Sequence, residues 1–184
     1  MKAIKEATEG DLGAYQKLYE HYARKVLNFI YRMVNSVEEA EDLTQETFAA
    51  VYQKLGSLHD PERFEPWLFR IARNYVYQKY RGRSPVMAAV DALDEDGQPT
   101  LQIEDTRKTP EEAFQARELK EVVMKAIASL TPKYREVFIL SAIRHVSYQE
   151  IAEIVGRSLP SVKTDIHRAR LEVRNRVKDY LRVG

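Results

Sequence analysis

The sequence predicts an all-α protein: two small helical domains joined by a flexible acidic linker, the second containing a helix-turn-helix. Three observations predict it. Apolar residues recur at helical spacing through most of the chain, and no run alternates as a committed strand would. Helix-start signals open these stretches one after another, either Ser or Thr with Glu three residues on, or Pro in the first turn. From Gly82 to Lys108 the period lapses into GRSPVMAAVDALDEDGQPTLQIEDTRK, rich in Pro, Gly and acids. The expected division is 1–83, a linker 84–108, and 109–184, with about three long helices before the linker and four shorter ones after it.

Asp11 to Val34 reads as the first long helix. Leu12, Tyr15, Leu18, Tyr19, Tyr22, Val26, Phe29, Ile30 and Met33 form its apolar stripe, and Asn35 ends it. Ser36 with Glu39 makes a capping box and opens a second helix to about Leu55, apolar on Val37, Ala40, Leu43, Thr47, Phe48, Val51 and Leu55. Its other face carries Asp42, Gln45, Glu46 and Ala49, three or four apart and so side by side. By charge alone this row reads as a solvated face.

Gly56 to Arg63 (GSLHDPER) is a loop by composition. A third helix runs from Pro66 to about Tyr80, with Leu68, Ile71, Ala72, Tyr75 and Val76 inward. Trp67, Arg70, Asn74, Tyr77, Gln78 and Arg81 fall along its other side. Rings, amides and guanidinium groups interleaved in this way suit single-stranded nucleic acid, which needs stacking, edge contacts and phosphate neutralisation together. The competing reading takes Trp67 and Tyr77 as further core. Val86 to Leu93 is a candidate short helix in the linker. Thr109-Pro110-Glu111-Glu112 starts the next helix, to about Leu130, on Phe114, Leu119, Val122, Val123, Ala126, Ile127 and Leu130. Thr131-Pro132 starts another, with Tyr134, Val137, Phe138, Leu140 and Ile143, ending near His145.

Ser147 to Arg176 is the most informative stretch. Ser147 and Glu150 form a capping box; Ile151, Ala152 and Val155 share a face; Gly156 stands where a helix C-terminus favours φ > 0. Ser158 and Pro160 open a second helix on Val162, Ile166, Ala169 and Val173, and Ala152 is small enough for a close crossing. Lys163, His167, Arg168, Arg170 and Arg174 give this helix a basic outer face, the footprint of groove and phosphate contact. Ordinary helical bundles also contain such pieces, but this order of cap, small residue, Gly and basic helix favours DNA.

The formal net charge of +1 conceals an uneven distribution. Arg63, Arg70, Arg73, Lys79, Arg81 and Arg83 face a single acid, Glu65, across their stretch, whereas Asp91, Asp94, Glu95, Asp96, Glu104, Asp105, Glu111 and Glu112 gather beyond it. The absence of cysteine excludes disulfides and thiolate metal sites and fits a reducing cytoplasm. The opening MKAIKEATEGD reads as no signal peptide, and no apolar run approaches a membrane span. Catalysis finds no support: there is no Gly-rich phosphate loop, and His21, His59, His145 and His167 are scattered. No metal, cofactor or enzymatic activity is expected. The residues alone leave open a plain DNA-binding regulator and a helical adaptor.

The order of pieces resembles the extracytoplasmic-function group of bacterial sigma factors, small relatives of sigma-70, over nearly the whole chain. AEDLTQETFAAVYQKL (Ala40 to Leu55) is similar to the family's core-polymerase-binding helix. FEPWLFRIARNYVYQKYRGR (Phe64 to Arg83) is similar to its promoter-melting and −10 region. LTPKYREVFILSAIRHVSYQEIAEIVGRSLPSVKTDIHRAR (Leu130 to Arg170) is similar to its −35-binding domain. The resemblance implies that Asp42, Gln45 and Glu46 dock on the clamp of the large subunit of core RNA polymerase, with Leu43 and Phe48 behind them. It implies −10 contacts to the non-template strand from the Leu58–Phe64 loop and from Phe64, Trp67, Arg70, Asn74, Tyr77, Gln78 and Arg81. It implies duplex −35 contacts from Lys163, Thr164, His167 and Arg168, with Arg157 and Ser161 on phosphate. Asp165 departs from the family pattern, and an acid at a DNA-facing position would alter the −35 preference. An anti-sigma factor, a cytoplasmic location and nucleoid association when active are further implications; membrane insertion is not.

Overall fold

A computed structural model describes residues 2–81, 110–143 and 146–183. These form α1 (Lys2–Thr8), α2 (Leu12–Val34), α3 (Val37–Lys54), α4 (Phe64–Lys79), α5 (Pro110–Ala128), α6 (Pro132–Phe138), α7 (Tyr148–Val155) and α8 (Leu159–Val183). Among the described residues there is no strand. The expected linker helix and the Thr109 cap lie outside them.

Local chemistry sets most helix ends. The Asp11 carboxylate accepts the Ala14 N–H at 2.8 Å and starts α2. Asn35 ends it in the left-handed region at φ 58°, its N–H returning to the Tyr31 carbonyl. Ser36 Oγ accepts the Glu39 N–H at 3.3 Å, as a cap should. The Glu39 carboxylate does not complete the box. It takes the Tyr80 hydroxyl and lies 3.9 Å from Lys79 Nζ, tying the start of α3 to the end of α4. Two 3₁₀ turns, Leu55–Ser57 and Pro61–Arg63, carry the chain from α3 to α4, which starts at Phe64, two residues before Pro66.

In the first domain α2 packs along α3, α3 against α4, and α1 against α2. Val26, Phe29, Ile30, Leu43, Val51, Leu68, Phe69 and Ala72 are shut off from solvent, with the Phe29 and Phe69 rings edge to face at 5.5 Å. The sequence does not signal α1, which buries Ile4 and Ala7. Leu12 and Tyr19, expected in the stripe of α2, are exposed. So is Leu119 on α5. In each case apolar spacing runs past the width of the face that a neighbour covers.

In the second domain α8 packs against α5, α6 and α7. At 25 residues it is not one of four shorter helices but longer than α2. After Phe138 the helix widens into a π turn, Ile139–Ile143. The domains also touch: α4 packs against α7, and α2 reaches α5 and α6. Among the described residues no helix is long and apolar enough to cross a membrane.

Candidate nucleic-acid interface

The helix-turn-helix forms as its residues dictate. Ser147 Oγ accepts the Glu150 N–H at 3.2 Å while Glu150 Oε2 accepts the Ser147 N–H at 3.0 Å, a complete capping box. Gly156 closes α7 at φ 67°, its N–H on the Ala152 carbonyl. Val162, Ile166 and Ala169 seat α8 in the core. That seating turns Lys163, Thr164, His167 and Arg168 outward together, all exposed. The Thr164 hydroxyl donates to the Pro160 carbonyl at 3.0 Å. Arg168 donates to the Tyr134 hydroxyl at 3.3 Å, which favours its charged form. Ser161 is half-buried beside this row.

Asp165 does not belong to the outward row. It is 2% exposed, and its carboxylate takes Arg157 Nη1 and, at 3.1 Å, Lys133 Nζ. The expected DNA-facing acid is an internal ion-pair partner, because Asp165 follows Val162 by three residues and precedes Ala169 by four. Arg157, expected on phosphate, is held on the same side: its Nη2 donates to Glu136 Oε1 at 2.7 Å. Glu136 is 1% exposed and takes Arg73 Nε of α4 on its other oxygen at 2.8 Å. Two arginines from different domains therefore share one buried carboxylate.

On α4 the expected −10 row divides. Arg70, Asn74, Gln78 and Arg81 are exposed, and Trp67 is half-buried with its ring centroid 6.1 Å from that of Phe64. Phe64, expected to meet DNA, is 1% exposed and lies in the core against Tyr22. Tyr77 sits one row inward. The Arg73 guanidinium lies 4.5 Å from its ring centroid, and its hydroxyl lies near the Glu136 carboxylate. Burial pushes that hydroxyl well up from the usual tyrosine range, and the Glu136 carboxylate adds to the effect.

On α3, Asp42, Gln45, Glu46 and Ala49 are all exposed on one face, whereas Leu43 and Phe48 are buried behind them. The row continues into the exposed Tyr52, whose ring meets Tyr15 edge-on at 5.1 Å.

Arg63, Arg73, Arg135 and Glu136 carry interdomain contacts that the sequence reading did not assign. Arg63 Nη1 donates to both Glu153 oxygens, at 2.5 and 2.6 Å. Arg135 is 4% exposed and donates to the Met33 carbonyl at the end of α2 (2.8 Å) and to the Ala128 and Leu130 carbonyls at the end of α5. Helix C-termini supply partial negative charge there in place of a carboxylate. A signal for Glu136 was available: it lies four residues before Leu140 and three before Ile139, on a face the apolar period buries.

Two family models match. Sigma-70 region 2 covers residues 18–85, and Sigma-70, region 4 covers residues 120–173. The ECF RNA polymerase sigma factor SigW of Bacillus subtilis is 34% identical over 180 residues, 97% of this chain and 96% of its own. The ECF RNA polymerase sigma-E factor of Escherichia coli K12 is 31% identical over 185 residues, 97% and 94% of the two chains. Among solved structures, CnrH in complex with the cytosolic domain of CnrY has the same fold, with TM-score 0.69, 24% identity and 96% of both chains covered. The sigma factor RpoE of Bartonella quintana, solved with the anti-sigma factor NepR, also has TM-score 0.69, at 22% identity over 89% of this chain and 96% of its own.

Proposed function

The chain belongs to the extracytoplasmic-function RNA polymerase sigma factors of the sigma-70 family, and we propose that it divides that role among three exposed surfaces. As a sigma factor it directs core polymerase to promoters and initiates transcription. The outward row of α3, Asp42, Gln45, Glu46 and Ala49, docks on the clamp of the large subunit. Leu43 and Phe48 act from behind by fixing the helix. Arg70, Asn74, Gln78 and Arg81, with the edge of Trp67, receive the non-template strand at the −10 element. Lys163, Thr164, His167 and Arg168 enter the major groove at −35, where the Arg168 fork suits guanine or phosphate.

The work is physical and not catalytic. Melting a promoter gives up base stacking in the duplex, and a site that stacks an extruded base and bonds its edge returns part of that cost. The division corresponds to domains 1–83 and 109–184, with 84–108 as the spacer. The reading extends to a cytoplasmic, nucleoid-associated protein that responds to a signal through an anti-sigma factor, a partner of the kind with which RpoE of Bartonella quintana was solved.

One observation carries the proposal: the polar rows of α3, α4 and α8 are exposed while the apolar residues between them are buried. Transcription in vitro tests it, using core polymerase free of any sigma and a library of promoter fragments. Specific transcripts should require the protein and disappear with Asp42→Lys/Glu46→Lys, whose circular dichroism should match wild type. If no template fires while the protein alone binds duplex DNA tightly, the division of surfaces is wrong.

A further inference from the structure

Arg168 differs from the neighbouring arginines in what holds it. Arg73 and Arg157 donate to the Glu136 carboxylate, and Arg63 to that of Glu153. A carboxylate matches the guanidinium fork in both charge and shape, so it occupies the donors that DNA would use. Asp165, one turn before Arg168, is taken by Arg157 and Lys133. Arg168 itself is exposed, and its partner is a neutral oxygen: Nη1 donates to the Tyr134 hydroxyl at 3.3 Å.

Tyr134 stands in the first turn of α6, which packs against α8. Its ring is half-buried against the core of the second domain, with Lys133 Nζ 5.7 Å from the centroid. The fold therefore fixes the hydroxyl, and the long Arg168 side chain comes to it. The two residues are 34 apart in the chain, so the recognition helix alone gives no sign of the contact.

We propose that Tyr134 is a positioning residue for −35 recognition: from a neighbouring helix, its hydroxyl sets the Arg168 guanidinium in the orientation that reads a base. The inference rests on the reading of Arg168 as a −35 contact. A guanidinium carries five N–H donors, and the hydroxyl takes one of them. The others stay free for a guanine edge, whose O6 and N7 require two bonds from one fork. At 3.3 Å the bond is long, so it orients the group without competing strongly for it. Without the hydroxyl the side chain regains its torsional freedom, and ordering it again on the base has a cost. A wandering guanidinium is served equally well by phosphate, which carries no sequence information. Tyr134 thus contributes discrimination more than affinity.

The full chain, assembled with core polymerase, tests this by selection from promoters with a randomised −35 element. Arg168→Ala marks the position that Arg168 reads, as the one whose base preference collapses. Tyr134→Phe removes only the hydroxyl. It should lower the preference at that same position about three- to tenfold and leave the other positions unchanged. In the Arg168→Ala background, Tyr134→Phe should change nothing further, the sign that both act through one contact. Its salt slope should match wild type because no phosphate contact is lost, and its Tm should stay within about 2 °C. An unchanged preference in Tyr134→Phe would overturn the proposal. So would a uniform loss of affinity with the salt slope reduced by about one, which would make Tyr134 a phosphate contact in its own right. If Arg168→Ala leaves every −35 preference intact while the assembled enzyme still selects promoters, the assignment of Arg168 to a base fails, and the role of Tyr134 falls with it.

Discussion

Arg157→Ala should destabilise the second domain more than Asp165→Ala, although sequence reasoning placed Arg157 on DNA. The Asp165 side chain is 3% exposed and has two partners. Lys133 at 3.1 Å is 54% exposed, so its pair contributes at most about 1 kcal/mol. Removing Arg157 leaves Asp165 buried with only that weak partner, a situation that costs about 3–5 kcal/mol. Removing Asp165 is milder, because Arg157 keeps Glu136 at 2.7 Å. A cost of about 1–3 kcal/mol follows, that of a hydrogen-bonding group left short of one partner. At about 2–4 °C per kcal/mol for a chain of this size, Arg157→Ala should lower Tm by roughly 6–20 °C. Asp165→Ala should lower it by roughly 2–12 °C. Thermal and urea unfolding followed by circular dichroism measure both, and promoter selection from a randomised −35 library gives the second readout. Asp165→Ala should leave the preferred −35 bases unchanged. An unaltered melting curve with a new base preference would refute the burial argument, as would a larger loss for Asp165→Ala than for Arg157→Ala.

Phe64→Ala should cost about 3–5 kcal/mol as a core truncation, whereas Asn74→Ala should leave urea unfolding within about 0.5 kcal/mol and impair promoter opening, scored by permanganate reactivity of the melted strand. Gly156→Ala should cost about 1–2 kcal/mol from left-handed backbone strain alone, since an added Cβ would meet nothing within 4 Å; a urea midpoint shift at constant slope checks it. The Tyr15 hydroxyl donates to the Phe48 carbonyl at 2.7 Å, and burial, then Tyr19 and Tyr52, push it up from 10.0 to about 12. The unfolded chain then loses this proton first, so the contribution of Tyr15 is complete below pH 10.0 and is lost as pH rises through about 12. Tyr15→Phe should flatten that limb of the stability profile, and an identical limb would remove the assignment.

The fold was legible because its signals are local. The Ser36, Ser147 and Gly156 caps and the apolar stripes of α2, α3 and α8 place the helices within a residue or two. The outward rows of α3 and α8 follow directly, since positions three and four apart must share a face. What escaped involves two elements at once. Glu39 reads as a capping-box acid, and only the approach of α4 turns it to Tyr80. Phe64 reads as an aromatic of a nucleic-acid face, and only the α2–α4 contact makes it core. Asp165 is a different kind of miss. The Val162–Ala169 stripe already placed it inward, but the expectation of a DNA-facing row overrode the period.

The near-zero net charge acquires a physical reason from the contacts between the domains. A free protein with two uncompensated basic faces would be drawn to any DNA by counterion release, without regard to sequence. Here Arg63, Arg73 and Arg157 are answered by Glu153 and Glu136 of the same chain. The α3 row adds exposed acids that repel phosphate. Long-range attraction to DNA is thereby reduced while the residues proposed to read it, Asn74 and Arg168 among them, stay exposed. Specificity then depends on contacts made together at two elements, and no single basic face has to carry it. The buried Arg73–Glu136–Arg157 bridge is the part of this balance that salt cannot readily remove, so the balance should persist at physiological ionic strength, where an exposed charge pattern of the same total would largely be screened.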